Sequence, residues 1–120
     1  MGSQQTGRKA ETLALNYLIK KGLKPVTRNY HSCRGELDLV MTEGGNLVFI
    51  EVRYRRRPDF GSGGESVDRR KQARISACAQ YYLQRHPVAS ERPCRFDVIS
   101  ISGNLEHPQI DWITDAFPAC

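Results

Sequence analysis

Two runs of alternating apolar residues, Gly35 to Thr42 and Leu47 to Tyr54, flank the tetrapeptide Glu43-Gly44-Gly45-Asn46. Alternation with period two places successive side chains on opposite faces of a strand, and a short glycine-rich connection between two such runs marks a β-hairpin. With a loop of two or four residues, Met41 opposes Val48, Leu39 opposes Ile50 and Leu37 opposes Val52. One face of the hairpin is then apolar throughout. The same register sets Asp38 directly opposite Glu51 and Glu36 opposite Arg53. A slip of one residue would destroy both patterns, so the register is well specified.

The rest of the chain supplies what a hairpin needs to bury that face. Residues 1–6 are polar and read as a flexible start; the loose myristoylation pattern of Met1 to Thr6 is too short to weigh against this. Ala10, Leu13, Ala14, Tyr17 and Leu18 follow helical spacing within Gly7 to Lys21, with Gly22 as the stop and Pro25 against resumption. Val26 to Tyr30 reads as a short strand. Residues 56–66 read as a loop, after which Ser66 caps a helix from about Val67 to Arg85, with Asp68 in its first turn and His86-Pro87 at its end. Cys94 to Ile101 and Gln109 to Thr114 are two further strands around the turn Ser102-Gly103-Asn104. The order is α-β-β-β-α-β-β, one α/β domain over residues 7–117 with a mixed β-sheet flanked by helices. At 120 residues and 39% hydrophobic, the chain has enough material for one core without metal or disulfide staples. No run is long enough to span a membrane and no secretory h-region follows Met1. Cys33, Cys78, Cys94 and Cys120 are widely spaced with no C-x-x-C pair, so reduced, largely buried thiols in a cytoplasmic setting are expected, rather than zinc or disulfides.

The apposition of Asp38 and Glu51 is unfavourable taken alone. Two like charges about 5 Å apart repel by about 3 kcal/mol at an effective dielectric near 20. Something positive should therefore stand between them: Arg53, another basic side chain, or a divalent cation; alternatively one carboxyl holds a proton. Oxygen ligands suit Mg²⁺ or Mn²⁺, and the backbone carbonyl of Val52 is the simplest further ligand. The competing reading is a partly solvated pair neutralised by Arg53. Glu11, near the apolar stripe of the first helix, either helps hold the cation or flanks the core. Residues 51–74 carry eight basic side chains against four acidic ones, which concentrates most of the net charge of +5 beside the acid pair. Arg55, Arg56 and Arg57 leave the hairpin, and Arg69, Arg70, Lys71 and Arg74 open the second helix; such clustering suits a phosphate backbone. Lys71 and Gln72 lie at the rim of that helix's buried face, pointing toward the hairpin or covering the core edge with their stems. Asp97 is expected to pair with Arg95 or a neighbouring strand. His31, His86 and His107 form no cluster.

The stretches Gly7…Glu11…Ala14, Arg28-Asn29-Tyr30, Gly35-Glu36-Leu37-Asp38-Leu39-Val40, Val48-Phe49-Ile50-Glu51-Val52-Arg53-Tyr54-Arg55, Ser66-Val67 with Lys71-Gln72, and Arg95-Phe96-Asp97-Val98 together resemble the bacterial YraN family. That family is similar to archaeal Holliday-junction resolvases and the restriction-endonuclease-like superfamily, so the resemblance implies a restriction-endonuclease-like core. It also implies Glu11, Asp38 and Glu51 as metal ligands, Glu36 and Gln72 as polar groups just outside them, and metal-dependent hydrolysis of a phosphodiester. DNA is implied over RNA, including branched DNA in repair or recombination, with a homodimer expected because a junction has paired strands to cut. Arg53 stands where the superfamily's motif has lysine. Arginine does not give up a proton, although it can stabilise transition-state charge. Lys71 is the candidate for the missing amine. The alternatives are a nucleic-acid-binding module that does not cut, and a protein-interaction domain whose basic face meets an acidic partner.

Overall fold

Around the Glu43–Asn46 turn the chain runs α1 (Gly2–Lys20), β1 (Lys24–Ser32), β2 (Gly35–Glu43), β3 (Asn46–Arg55), α2 (Arg69–Arg85), β4 (Cys94–Ser102) and β5 (Gln109–Phe117). The computed structural model describes residues 2–56 and 67–118, with side chains from Gly7 onward. The order expected from the sequence holds. Arg57, Ser66, Cys120 and most of the 56–66 loop lie outside the described residues.

The five strands form one mixed sheet in the order β1-β2-β3-β4-β5. Only β3 and β4 are parallel, and α2 provides the long crossover that a parallel pair requires. One hydrophobic cluster fills each face. Ala10, Ala14 and Leu18 of α1 pack on Leu39, Met41, Val48, Ile50, Ile99 and Ile101. Ile75, Cys78, Ala79 and Tyr82 of α2 pack on Val40, Leu47, Phe49, Phe96 and Val98. The hairpin is therefore apolar on both faces rather than one. Its central strand shows this in the unbroken apolar run Leu47-Val48-Phe49-Ile50, as strands covered by helices on both sides do.

Several boundaries move for identifiable reasons. α1 takes in residues 2–6, whose polar composition predicts a flexible start. It ends in a Schellman motif: Leu23 N–H donates to the Leu18 carbonyl and Gly22 N–H to that of Ile19, with Gly22 at φ 103. α2 begins at Arg69, because Asp68 is itself the cap: its Oδ1 accepts from Lys71 N–H at 2.8 Å. β1 and β5 are longer than their short apolar runs suggested, since ladder hydrogen bonds extend past the buried residues.

Asp97 locks the far edge of the sheet. The pairing of β4 with β5 shifts between Phe96 and Val98, and Asp115 opposite adopts φ 52. The Asp97 carboxylate, 0% exposed, accepts from Asp115 N–H, Trp112 Nε1, Arg95 Nε and Arg95 Nη2 at 2.9 to 3.1 Å. Arg95 reaches on to Glu43 at 2.8 Å, joining this knot to the hairpin turn. A buried carboxylate is tolerable only when so completely paired. Replacing it strands an indole N–H and a backbone N–H and leaves the Arg95 guanidinium with Glu43 alone. Asp97→Ala is expected to cost about 3–5 kcal/mol of folding stability, read from urea denaturation.

Candidate functional site

The site originates in a twist shared by β1 and β2. Arg28 pairs with Leu39 and Tyr30 with Leu37, but the intervening Asn29 and Asp38 do not pair, and Asn29 holds φ 55. Across this point both strands turn over. Leu39 packs under α1, whereas Tyr30 and Leu37 pack under α2. The expectation that Leu37 shares a face with Leu39 and Met41 is thereby corrected. The β2–β3 ladder ends at the Leu39–Ile50 pair, so Asp38 does not sit in register opposite Glu51, nor Leu37 opposite Val52, nor Glu36 opposite Arg53.

Asp38 bridges the opening instead. Its Oδ2 accepts the Val52 N–H at 2.8 Å, taking the place of a strand carbonyl. This brings its carboxyl within hydrogen-bonding reach of Glu51 by a route that sequence register does not describe. Glu51 is 7% exposed, and its Oε2 lies 2.5 Å from the Lys71 ammonium in the first turn of α2. α2 is brought close at that end by Gly35: a Cβ there would stand 3.2 Å from the Arg74 carbonyl oxygen. Of the basic side chains that the sequence allowed near the two acids, Lys71 pairs directly with Glu51, and Arg53 interacts with Glu51 electrostatically.

The Asp38 carboxyl is pushed up to about 8, first by burial, then by the Glu51 charge and by Glu11; the Val52 N–H pulls the other way. Glu11 reaches the same cleft from α1. Its Oε1 is buried and has no hydrogen-bond partner among the described residues; Arg28 approaches it only to 3.8 Å while donating to Thr12 Oγ1. The cleft, about 750 Å³, is lined by Glu11, Glu36, Asp38, Glu51, Val52 and Lys71, with His31, Arg34 and Arg74 at its basic side.

This donor set suits a hard divalent cation. Two carboxyls are already adjacent, and a third offers a buried oxygen that accepts no hydrogen bond among the described residues. Among the described residues no three Asp, Glu, His or Cys side chains converge on one point. Holding an ion would therefore require Glu11 to turn inward and Lys71 to release Glu51.

The remaining sequence-named residues divide by position. Arg74 lines the cleft; Arg69 and Arg70 are exposed on the first turn of α2. Arg53 is half-buried, does not line the cleft, and has its pKa lowered by burial and by Arg55, against the opposing pull of Glu51 and Asp68. Gln72 uses its amide on the Val67 carbonyl at 2.8 Å, securing the entry to α2 rather than reaching the acids. Arg55 and Arg56 lie at the end of β3. Arg34 went unnoticed in the sequence. It sits at the tip of the β1–β2 turn, beside Gly35, and the only signal was its place one residue before the hairpin motif. Cys33 next to it is exposed, unlike the buried Cys78.

The raised Asp38 pKa makes a signed prediction. Between about pH 4, the ordinary aspartate range, and pH 8, the folded protein holds a proton that the unfolded chain has lost, so its stability falls as pH rises through that window. Asn mimics the protonated acid. Asp38→Asn should match wild type near pH 4 and become progressively more stable toward pH 8, in denaturant melts with chelator present. Lys71→Met removes the Glu51 counter-ion, and because Lys71 is itself 44% exposed the loss at neutral pH is about 1 kcal/mol in the same melts.

The sequence has clear relatives. The model of "Uncharacterised protein family UPF0102" matches residues 10–101, a span that takes in Glu11, Asp38, Glu51 and Lys71. A UPF0102 protein of Nitrosococcus oceani is 50% identical over 111 residues, covering 92% of this chain and 90% of its own. One from Stutzerimonas stutzeri is 49% identical and covers 96% of each chain. One from Pseudomonas savastanoi pv. phaseolicola is 48% identical, covering 95% of this chain and 94% of its own. With the matched span running from α1 to the end of β4, and relatives of nearly equal length, the chain belongs to the UPF0102 family, the family to which the YraN resemblance of its hairpin pointed.

Proposed function

We propose that this protein is a nucleic-acid-binding, endonuclease-like enzyme that hydrolyses phosphodiesters of DNA with Mg²⁺ or Mn²⁺. The observation that carries the reading is the contact of half-buried Asp38 with buried Glu51, beside a Glu11 oxygen that accepts no hydrogen bond among the described residues, in a cleft with a basic side. A fold does not ordinarily hold two acids in contact, one of them keeping its proton to about pH 8, without a use for them. Glu11, Asp38 and Glu51 would hold the ion, with the Val52 carbonyl as a further oxygen. When bound, a divalent cation supplies Lewis acidity and a water nucleophile at neutral pH.

The chain's own groups do the rest. Arg34 and Arg74 attract and orient the phosphate from the rim. Lys71, released from Glu51, is placed to face the reacting phosphate and offset its growing charge. Arg53, two residues on from Glu51 along β3, steadies Glu51 and Asp68 electrostatically. Arg55, Arg56, Arg69 and Arg70 extend the basic surface on either side. The likeness of the hairpin motif to junction resolvases supports branched DNA as substrate, a homodimer as the working form, and a role in repair or recombination in the cytoplasm. No helix among the described residues is long and apolar enough to cross a membrane.

A second reading, a binding module that does not cut, draws on Lys71. Its ammonium already neutralises Glu51, and so supplies part of what a metal would. A cleavage assay with Mg²⁺ and with Mn²⁺ on single-stranded, duplex and four-way-junction DNA separates the two. Wild type should cut at least one of these, and Asp38→Asn and Glu51→Gln should each lower the rate 100-fold or more while binding persists. Absence of cleavage by wild type in either ion, with DNA binding unchanged in Asp38→Asn, leaves the binding module standing and removes the enzyme.

A further inference from the structure

The parallel strands β3 and β4 end side by side, and in sheets of this kind ligands gather outside the carboxyl ends of parallel strands. Two hydrogen bonds tie the β4–β5 turn to the end of β3 there. Gly103 N–H donates to the Arg55 carbonyl at 3.1 Å, and the Tyr54 hydroxyl donates to the Gly103 carbonyl at 2.8 Å. The tie shapes a second concavity of about 470 Å³, lined by Tyr54, Arg56, Gly103, Asn104 and Leu105. Tyr54 lines this concavity and the acidic cleft alike, so the two share a wall. Arg56 is exposed. Asn104 accepts the Glu106 N–H through Oδ1 at 2.8 Å, which fixes the carboxamide and leaves its NH₂ group as a donor.

We infer that this concavity is a second backbone subsite. A nucleic-acid strand held in the acidic cleft continues over Tyr54, and its next phosphates are gripped by the Arg56 guanidinium and the Asn104 amide. The inference rests on the nucleic-acid reading above and narrows it. At about 3.3 Å per strand residue, Arg56 lies about 13 Å along β3 from Val52, roughly four base steps of a duplex. The ligand is accordingly a polymer engaged on one side of the cleft over several nucleotides, not a mononucleotide or a free phosphate. The pinned tyrosine is the rigid element that keeps the two subsites at a constant separation.

Fluorescence anisotropy on labelled DNA hairpins with stems of four and sixteen base pairs, in chelator, tests this on the full chain. Wild type should bind the long stem more tightly than the short one. In Arg56→Ala with Asn104→Ala that ratio should shrink about 5–10-fold, and the slope of log affinity against log salt should fall by about 1 for the long stem. Arg34→Ala should weaken both lengths by the same factor. An unchanged ratio and slope in the double variant, with wild type still binding, overturns the subsite and leaves the cleft's nucleic-acid role intact. Failure of wild type to bind either stem overturns both. Binding without cleavage in the assay above removes only hydrolysis, and the ratio then still decides the subsite.

Discussion

The hydrogen bond from Val52 N–H to Asp38 holds the candidate site together. β2 leaves β3 just beyond the Leu39–Ile50 pair, and an exposed strand edge would normally result. A side-chain carboxyl takes the vacated acceptor position, so β3 keeps its backbone satisfied while β2 is free to twist under α2. That one substitution of acceptor draws Asp38 against Glu51, in a cleft lined from α1, the sheet and the first turns of α2, with Lys71 on Glu51. Were Asp38 to continue the regular ladder, its side chain would stand on a flat sheet face and no cleft would form.

Such a site costs the fold stability. Burial and a neighbouring acid hold a proton on Asp38 well above the usual aspartate range, and Lys71 is drawn in from the first turn of α2 to answer Glu51. The contrast with Asp97 is instructive. That carboxylate is more deeply buried, yet four donors surround it, and Arg95 carries the network across to Glu43. One acid is fully paired and ties two strands together; the other group is under-paired, with a buried Glu11 oxygen at its margin that accepts no hydrogen bond among the described residues. Under-pairing in a cleft is the arrangement expected of groups kept ready for a ligand, whereas full pairing at a sheet edge is a stabilising lock.

Much of the architecture was legible because it depends on local chemistry. The Gly44-Gly45 loop and the alternation on either side specify the hairpin register out to Leu39–Ile50, and Gly22 ends α1 where its spacing breaks. Legibility failed at positions that local chemistry does not govern. Ser66 and Asp68 are both good caps, and only the hydrogen bond to Lys71 N–H tells them apart. Leu37 looked like a partner of Leu39 because alternation presumes an untwisted strand, and the turnover at Asn29 and Asp38 has no periodic signature. Arg34 carries no periodic signal, and the sequence places Gln72 nearer the acids than it lies, since a residue's position in a motif does not say where a long side chain ends.

Residue order settles the identities: which strands are apolar enough to be central, that two acids flank one hairpin, and that basic residues crowd the segment after it. These follow from periodicity and composition, which act over a few residues. Packing settles the juxtapositions. The twist of β1 and β2, the close approach of α2 at Gly35, the arrival of Lys71 at Glu51, and the shared wall at Tyr54 each require two elements distant in the chain to meet. Their relative placement is set by the two cores on either side of the sheet, where close-packed side chains admit one arrangement, and no local pattern encodes it.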